Sequence, residues 1–514
     1  MKRSIRKALE AGKRRIEQRL RWKSRDAARL RRDGTVLDAA ELKYDLGGRT
    51  RGVGCGGVAL MLRVAQEVGL TDAIDRRLHL LRLHCPYHES DHVLNFAFNA
   101  LCGGTCLQDI ELRRNDACYL DSLGAETIPD PTTAGDFCRR FRGAADVRAL
   151  LDAIDDARLE VWRRQPSGGK FFAEAVLDFD GTLVITDGEC KEGMDISYKG
   201  TWGYHPLIAS LANTGEVLSI VNRSGNRPSE EGADAEADRA IALCRRGGFR
   251  RIVLRGDTAF SQTKRLDGWD ADGVTFVFGY DARDNLKDLA ESLEKSAWTK
   301  LQRPAAYVAS GPPRDRPPRV KRAIIRRREF LHLELKSEEV AEFEYQPTAC
   351  TRPYRMIVVR KNISQEKGER RLIDEVRYFF YITNDRAKTA AEVVFFANDR
   401  CDQENLLAQL SGGVRALAAP VDNLVSNWSY MVMTSLAWTL KAWSGLLLPV
   451  GGRWSEQHEA TRRSLLRMEF KTFVNAMIRI PCQVVRQARR TILRVLNWSP
   501  QLPMFFQLCT VLNC

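Results

Sequence analysis

A mixed α/β fold is predicted by three features of the 514-residue sequence. Three short β-type runs follow one another from Phe171, helix and strand signals then alternate, and a strand-rich stretch gives way to a long helical one. Hydrophobic residues make up 44% of the chain and charged residues 28%, with 18 prolines, which excludes a disordered or fibrous protein. At this length roughly three to five compact units are expected.

The elements follow in order. Residues 2–33 have helical propensity with almost no apolar stripe, and read as a solvated basic helix or an arm that orders on a partner. Residues 55–145 read as several short helices. Ser90 and Asp91 cap an apolar run to Leu101, and Pro131, Thr132 and Thr133 start a helix carrying Phe137, Arg139 and Arg140, suited to DNA recognition or to plain packing. FFAEAVLDFD, YHPLIASLA and GEVLSIVNR are three successive strands, the last two joined at the hairpin turn Asn213-Thr214-Gly215. A helix over 229–246, the strand RIVLRGD, a helix over 262–269 and the strand VTFVFGY complete the order of an RNase H-like sheet.

Strands then dominate 281–384: AIIRRREFLHLEL, AEFEYQP, YRMIVVRK and VRYFFYITN. A helical stretch runs from Ala391 nearly to the C-terminus, interrupted at Gly412-Gly413 and Gly451-Gly452. Its most apolar part, 431–450, contains Lys441, Ser444 and Pro449, which a bilayer would penalise, and reads as a buried helix. The expected division is a basic N-terminal arm (1–45), a helical region (46–165), an α/β core in two parts (166–280 and 391–450) around a β-rich segment (281–390), and a basic helical C-terminal region (451–514).

The net charge of +14 is concentrated. Residues 2–33 carry 14 basic and 4 acidic side chains, 453–494 carry 10 and 3, and 314–328 carry 8 and 1, leaving a mildly acidic body. Such a distribution fits a polyanionic partner. The 13 cysteines lack the paired spacing of a structural zinc site, and no apolar signal segment opens the chain, so a cytoplasmic, nucleoid-associated protein without a membrane partner is expected.

Three carboxylates stand where chemistry can use them. Asp180 ends the first strand and Asp257 the fourth; in an RNase H-like sheet these strands are neighbours, so both side chains emerge at one sheet end. Glu404, in NDRCDQENLLAQL, lies on a helix able to pack across that edge. The intervals are 77 and 147 residues. Oxygen-only ligation suits Mg²⁺ or Mn²⁺. Two such ions activate water or a 3′-hydroxyl and stabilise the leaving oxygen of a phosphodiester.

VLDFDGT, YHPLIASLANTGEVLSIVNRSGN, LRGDTAF and DRCDQEN, with GGTCLQDIELRRND at 103–116 and NWSYMVMTSLAWTLKAW at 427–443, resemble the DDE transposases of bacterial insertion sequences, specifically insertion-sequence family thirteen-eighty within the wider family-four group. The resemblance spans nearly the whole chain. It implies Asp180, Asp257 and Glu404 as catalytic acids and ligands of two Mg²⁺ ions, the β-rich segment between Asp257 and Glu404 as an insertion domain within the catalytic core, the helices of 46–165 as a DNA-binding region, binding of terminal inverted repeats and target DNA, cut-and-paste cleavage and strand transfer, and a homodimer on DNA. The group's signature of Tyr, two residues, Arg, three residues, Glu, six residues, Lys is matched at Arg400 and Glu404; Ala397 stands at the Tyr place and Ser411 at the Lys place, with Arg415 one helical turn on. Arg400, one turn before Glu404 on the same helix face, is placed to contact a phosphate. Arg415, Arg139, Arg140, Arg326 and Arg327 are further candidates for DNA contact.

Two rival functions use the same residues. LDFDGTLV also matches the first motif of haloacid dehalogenase-like phosphatases, with Asp178 as nucleophile and Asp180 as general acid/base. A catalytically inactive DNA-binding protein is the other. His84, His88 and His92 recur every four residues, the spacing of metal ligands on one helix, but Pro86 opposes that helix. Trp428, Trp438 and Trp443 suit either core packing or stacking on an unpaired base.

Overall fold

The computed structural model describes residues 2–26, 42–44, 50–84, 86–166, 169–303, 320–367, 370–487 and 490–514. The end of the expected basic arm and the first part of the 314–328 basic run lie outside them. The chain forms two compact units: Phe172–Gly181 with Pro228–Glu404, and Met1–Phe171 with Thr182–Arg227 and Asn405–Cys514. Among the described residues no helix is long and apolar enough to cross a membrane.

The first of these units is organised on a sheet. Strand Glu174–Gly181 pairs in parallel with Arg251–Gly256, which pairs in parallel with Thr275–Tyr280. Their apolar runs are buried on both faces, as parallel strands require. Helices Ala233–Gly247 and Thr263–Ala271 precede the second and third strands.

The strand-rich segment is continuous with this sheet. Arg370–Thr383 pairs antiparallel with Thr275–Tyr280, and Tyr354–Lys367, Leu331–Tyr345 and Thr299–Lys300 extend the ladder outward. The two expected strands FLHLEL and AEFEY are one 15-residue strand, Leu331–Tyr345. The preceding AIIRR, expected as strand, belongs to a helix, Val320–Arg327, where Val320, Ala323 and Ile324 fall at the i, i+3, i+4 spacing of a helix face.

Helix Ala390–Asn398 rests on the extended sheet. Thr389 and Glu392 form a capping box at its start, and Val393 and Val394 pack with Val277, Leu301, Val340, Ile357 and Val359. Burying one such valine contributes about 1.5–3 kcal/mol, which fixes this helix firmly over the sheet. The helix ends at Asn398, and a new one, Cys401–Ala408, starts after a turn at Asp399 and Arg400.

The other unit is mainly helical. Its centre is Leu424–Leu446, buried from Ser426 onward, as the sequence indicates for 431–450. Hairpin Leu207–Leu211 and Glu216–Val221 turns at Gly215, whose φ of 70° is the left-handed conformation such turns need. The fully buried Glu216 accepts hydrogen bonds from Trp162 Nε1 (3.0 Å), Trp443 Nε1 (2.9 Å) and Thr214 Oγ1 (2.8 Å), with Arg158 Nε at 3.3 Å.

Three local expectations change in this unit. Helix Arg3–Asp26 does carry an apolar stripe: Ile5, Leu9, Gly12 and Ile16 line a cleft with Trp498, Leu502 and Phe506. Helix Glu89–Leu101 is capped by His88 with Asp91 rather than by Ser90, whose hydroxyl is bonded to Asp75. The C-terminal region is not wholly helical, since Cys482–Gln487 and Arg490–Val495 form a hairpin that pairs with Gly52–Val53. Its β-branched pairs, such as Val485 opposite Ile492, favour strand over the helix expected from charge and length.

Candidate active site at the sheet end

Side chains alternate along a strand, so Val176, Asp178 and Asp180 share one face of the first strand, and Arg255 and Asp257 share the corresponding face beyond the second. The parallel register sets Asp178 opposite Arg255. These two form a bidentate pair, Nε to Oδ1 at 2.6 Å and Nη2 to Oδ2 at 2.7 Å, with 1% and 3% of the residues exposed. Burial pushes the Asp178 carboxyl up against the pull of Arg255. A carboxylate buried in this way, with both oxygens tied to Arg255, lacks the access that a phosphatase nucleophile needs, and that rival reading is set aside.

Two residues further on, Asp180 and Asp257 leave the sheet. Asp180 Oδ1 accepts from the Gly181 amide at 2.8 Å, and Asp257 Oδ1 accepts from the Ala259 amide at 3.0 Å, which fixes each carboxylate by one oxygen and leaves the other pointing outward. The turn after Asp257 lies against the neighbouring strand at Gly279. A Cβ there would stand 2.8 Å from the Thr258 nitrogen, so only glycine admits this approach.

The outward oxygens converge on one cation. Arg400 Nη1 lies 3.1 Å from Asp180 Oδ2 and 3.9 Å from Asp257 Oδ2, and its Nη2 lies 3.8 Å from Glu404 Oε1. Only the first is a hydrogen bond; the others are ion pairs at the limit of range. The Asp180 side chain is 16% exposed and that of Glu404 62%, so the site grades from half-buried to open. Burial, opposed by Arg400 and assisted by the Asp257 charge, pushes Asp180 up to about 6. Beside the acids lies a cavity of about 480 Å³ lined by Tyr280, Tyr378, Phe379, Tyr381 and Ala397 as well as by Asp257, Arg400 and Glu404.

The structure places the side chains of Asp180, Asp257, Glu404 and Arg400 near one another, and one local expectation changes. Arg400 sits in the turn between two helices, not on the helix of Glu404. Arg255 was missed, although an arginine inside the apolar run RIVLRGD was a readable signal of a buried partner. The tyrosines were missed because they come from strands distant in sequence.

The other candidates lie elsewhere. Arg415 has a left-handed φ of 61°, beyond the widened helical turn Gln409–Gly413, so it does not continue the helical register of Glu404; its carbonyl accepts from the Tyr430 hydroxyl. Arg139 is engaged by Asp136 and Asp422, and its helix Pro131–Arg139 buries Phe137 against His92, the packing alternative. Arg140 and Arg327 are exposed; the Arg326 side chain lies outside the described residues. His84 pairs with Glu89 and stacks on His88, apart from His92, and the three do not form a metal site. Trp428, Trp438 and Trp443 donate to Ile220 O, Gly215 O and Glu216, so they are core residues.

Among the described residues no three His, Cys, Asp or Glu side chains stand close enough together to hold a metal ion. What the three carboxylates share is the Arg400 guanidinium. As a donor set they are all oxygen, the chemistry of a hard divalent cation.

Two acids at adjacent ends of parallel strands, with a third on a following helix, define a sheet-end site of the D, D and E pattern. The family model described as Transposase DDE domain group 1 matches residues 38–513, and the chain belongs to that family. A structure of the piggyBac transposase synaptic complex with hairpin DNA is similar over 83% of this chain and 81% of that one, at 10% identity and a TM-score of 0.38. A 1,4-alpha-glucan branching enzyme, GlgB, of Burkholderia thailandensis is 28% identical over 172 residues, 29% of this chain; the match spans about a fifth (20%) of that relative's length.

Proposed function

We propose that this transposase serves an insertion sequence of family thirteen-eighty, binding its terminal inverted repeats, cutting the DNA and joining the freed 3′-hydroxyl to a target. The observation that carries the proposal is the convergence of Asp180, Asp257 and Glu404 on one positive group. The RNase H-like reading of the core belongs to the same proposal. It is supported by the three parallel strands in their order and by the antiparallel hairpin 207–221 that precedes the second of them in sequence.

Asp180, Asp257 and Glu404 are the residues that would hold Mg²⁺ or Mn²⁺, which when bound would supply Lewis-acid activation of water or a 3′-hydroxyl and charge neutralisation at the leaving oxygen. The chain's own contribution is positioning. Asp180 and Asp257 are oriented by backbone amides, and Arg400 offers two guanidinium nitrogens that its carboxylate neighbours satisfy only partly. A phosphate oxygen is a stronger partner for Arg400 than an acid at 3.8–3.9 Å, so a scissile strand entering the site draws the guanidinium away from Asp257 and Glu404 and competes with its 3.1 Å hydrogen bond to Asp180. The exposed basic helix 3–26, the helices up to residue 165 and the basic segments 314–328 and 453–494 then follow phosphates, in a homodimer that holds both ends of the element.

The test is divalent-dependent nicking of a duplex carrying the terminal repeat found beside the gene. Asp257→Asn lowers nicking at least about a hundredfold while repeat binding stays within about twofold. Nicking by the variant at the wild-type rate would remove Asp257 from the site.

A further inference from the structure

We infer that Arg255, held by Asp178, is a positioning residue that sets the Arg400–Glu404 segment against Asp180 and Asp257. The inference rests on the reading of those acids as the reacting site. Asp178 and Arg255 are register partners on adjacent parallel strands, each two residues before a site acid and on the same face, so the pair lies one pleat beneath the site. Arg255 spends Nε and Nη2 on Asp178. Its remaining arm, Nη1, donates to the Phe396 carbonyl at 2.7 Å, and the guanidinium lies 4.9 Å from the Phe396 ring centroid.

The place of that carbonyl matters. Phe396 is in the last turn of helix Ala390–Asn398, where carbonyls have lost their helical donors and need others. Immediately afterwards the chain breaks at Asp399 and Arg400, then restarts as Cys401–Ala408 with Glu404 one turn in. Through this turn only i→i+3 bonds remain, Arg400 N to Ala397 O at 3.4 Å, Asp402 N to Asp399 O at 3.1 Å and Gln403 N to Arg400 O at 2.8 Å, so the i→i+4 ladder of the first helix is not continuous with that of the second and the Phe396 carbonyl takes no backbone donor from it. The Arg255 fork anchors the outgoing end of the first helix to the two strands that present Asp180 and Asp257. One buried group thus references all three acids to a common frame.

A pair whose task is only stability can be exchanged for apolar side chains of similar volume with little loss. A positioning pair cannot, because the apolar replacement leaves the Phe396 carbonyl without its donor and the turn without its anchor. The contrast defines the experiment. Full-length Asp178→Leu/Arg255→Met and Arg255→Lys are compared with the wild type by thermal melting, by binding of Mn²⁺ alone followed by electron paramagnetic resonance, and by Mn²⁺ titration of nicking on the terminal-repeat duplex.

The expected result is a double variant that still melts cooperatively but binds Mn²⁺ about tenfold or more weakly, the low end of the loss seen when the groups that orient metal ligands are removed. Its half-saturating Mn²⁺ for nicking rises in parallel, while its rate at saturating Mn²⁺ falls less. Arg255→Lys, with a single donor head instead of a fork, lies between the two. A folded double variant with wild-type Mn²⁺ binding and half-saturation overturns the inference. If the double variant does not fold, Arg255→Lys decides by the same titration, and wild-type values overturn the inference there too. Asp257→Asn runs alongside: wild-type nicking by that control would instead mean that the site itself is misassigned.

Discussion

Two carboxylate clusters in this protein have opposite designs. Glu216 is fully buried and both of its oxygens are occupied, by two indole N–H groups, a hydroxyl and a guanidinium. Asp180, Asp257 and Glu404 are partly exposed, and together they share one arginine with a single proper hydrogen bond. The first cluster ties a hairpin to two helices and has no spare valence. The second has spare lone pairs, an adjoining cavity and a half-buried acid that is hard to ionise. Satisfied carboxylates hold a fold together, whereas underused ones held in place by backbone amides are available for chemistry.

Substitutions sharpen the contrast. The largest effect on stability is expected at Glu216. Glu216→Ala leaves Arg158 and two indoles short of a buried acceptor and lowers unfolding free energy by about 3–5 kcal/mol in urea titrations.

The buried His92 ring comes next. It stacks on Phe137 at 4.3 Å, its Nδ1 has no hydrogen-bond partner among the described atoms, and burial, helped by Arg140, pushes its pKa down to about 4. The folded state therefore disfavours the charged ring. Its contribution is intact above pH 6.5 and is lost as pH falls towards 4, on the order of 3 kcal/mol in all. His92→Phe flattens that limb of the stability profile; an unchanged limb would mean the ring is solvated.

The smallest effect has the opposite sign. Asp180→Asn removes a charge that burial and Asp257 both disfavour, and raises unfolding free energy by about 1 kcal/mol at pH 7, although Arg400 loses its nearest partner. A loss comparable to that at Glu216 would place Asp180 in the structural class.

Much of this was legible in the sequence. VLDFD, RIVLRGD and VTFVFGY are apolar runs ending in turn signals, so their strands and the acids at their ends could be placed from the residues alone. The hairpin at Gly215 and the buried helix 424–446 were equally plain. What stayed hidden depends on partners far along the chain. AIIRR alone fits either period and reads as helix only with Val320 three residues before Ala323 counted in, the break at Asp399 and Arg400 carries no glycine or proline, and the apolar stripe of helix Arg3–Asp26 is only visible once Trp498 supplies its other side. Arg415 was placed by counting helical turns through a segment that widens at Gln409–Gly413, and the count failed there. The rival role of Asp178 was settled by register, which set Arg255 opposite it.

The central claim is that Asp180, Asp257 and Glu404 act as one site. A double-mutant cycle of Asp257→Asn and Glu404→Gln, read as divalent-dependent nicking of the terminal-repeat duplex, tests it directly. Each single variant is expected to lose about a hundredfold or more, and the double variant to be no worse than the weaker single one, because residues that work as a unit lose their function once. Multiplicative losses, or a Glu404→Gln variant that nicks at the wild-type rate, would contradict it.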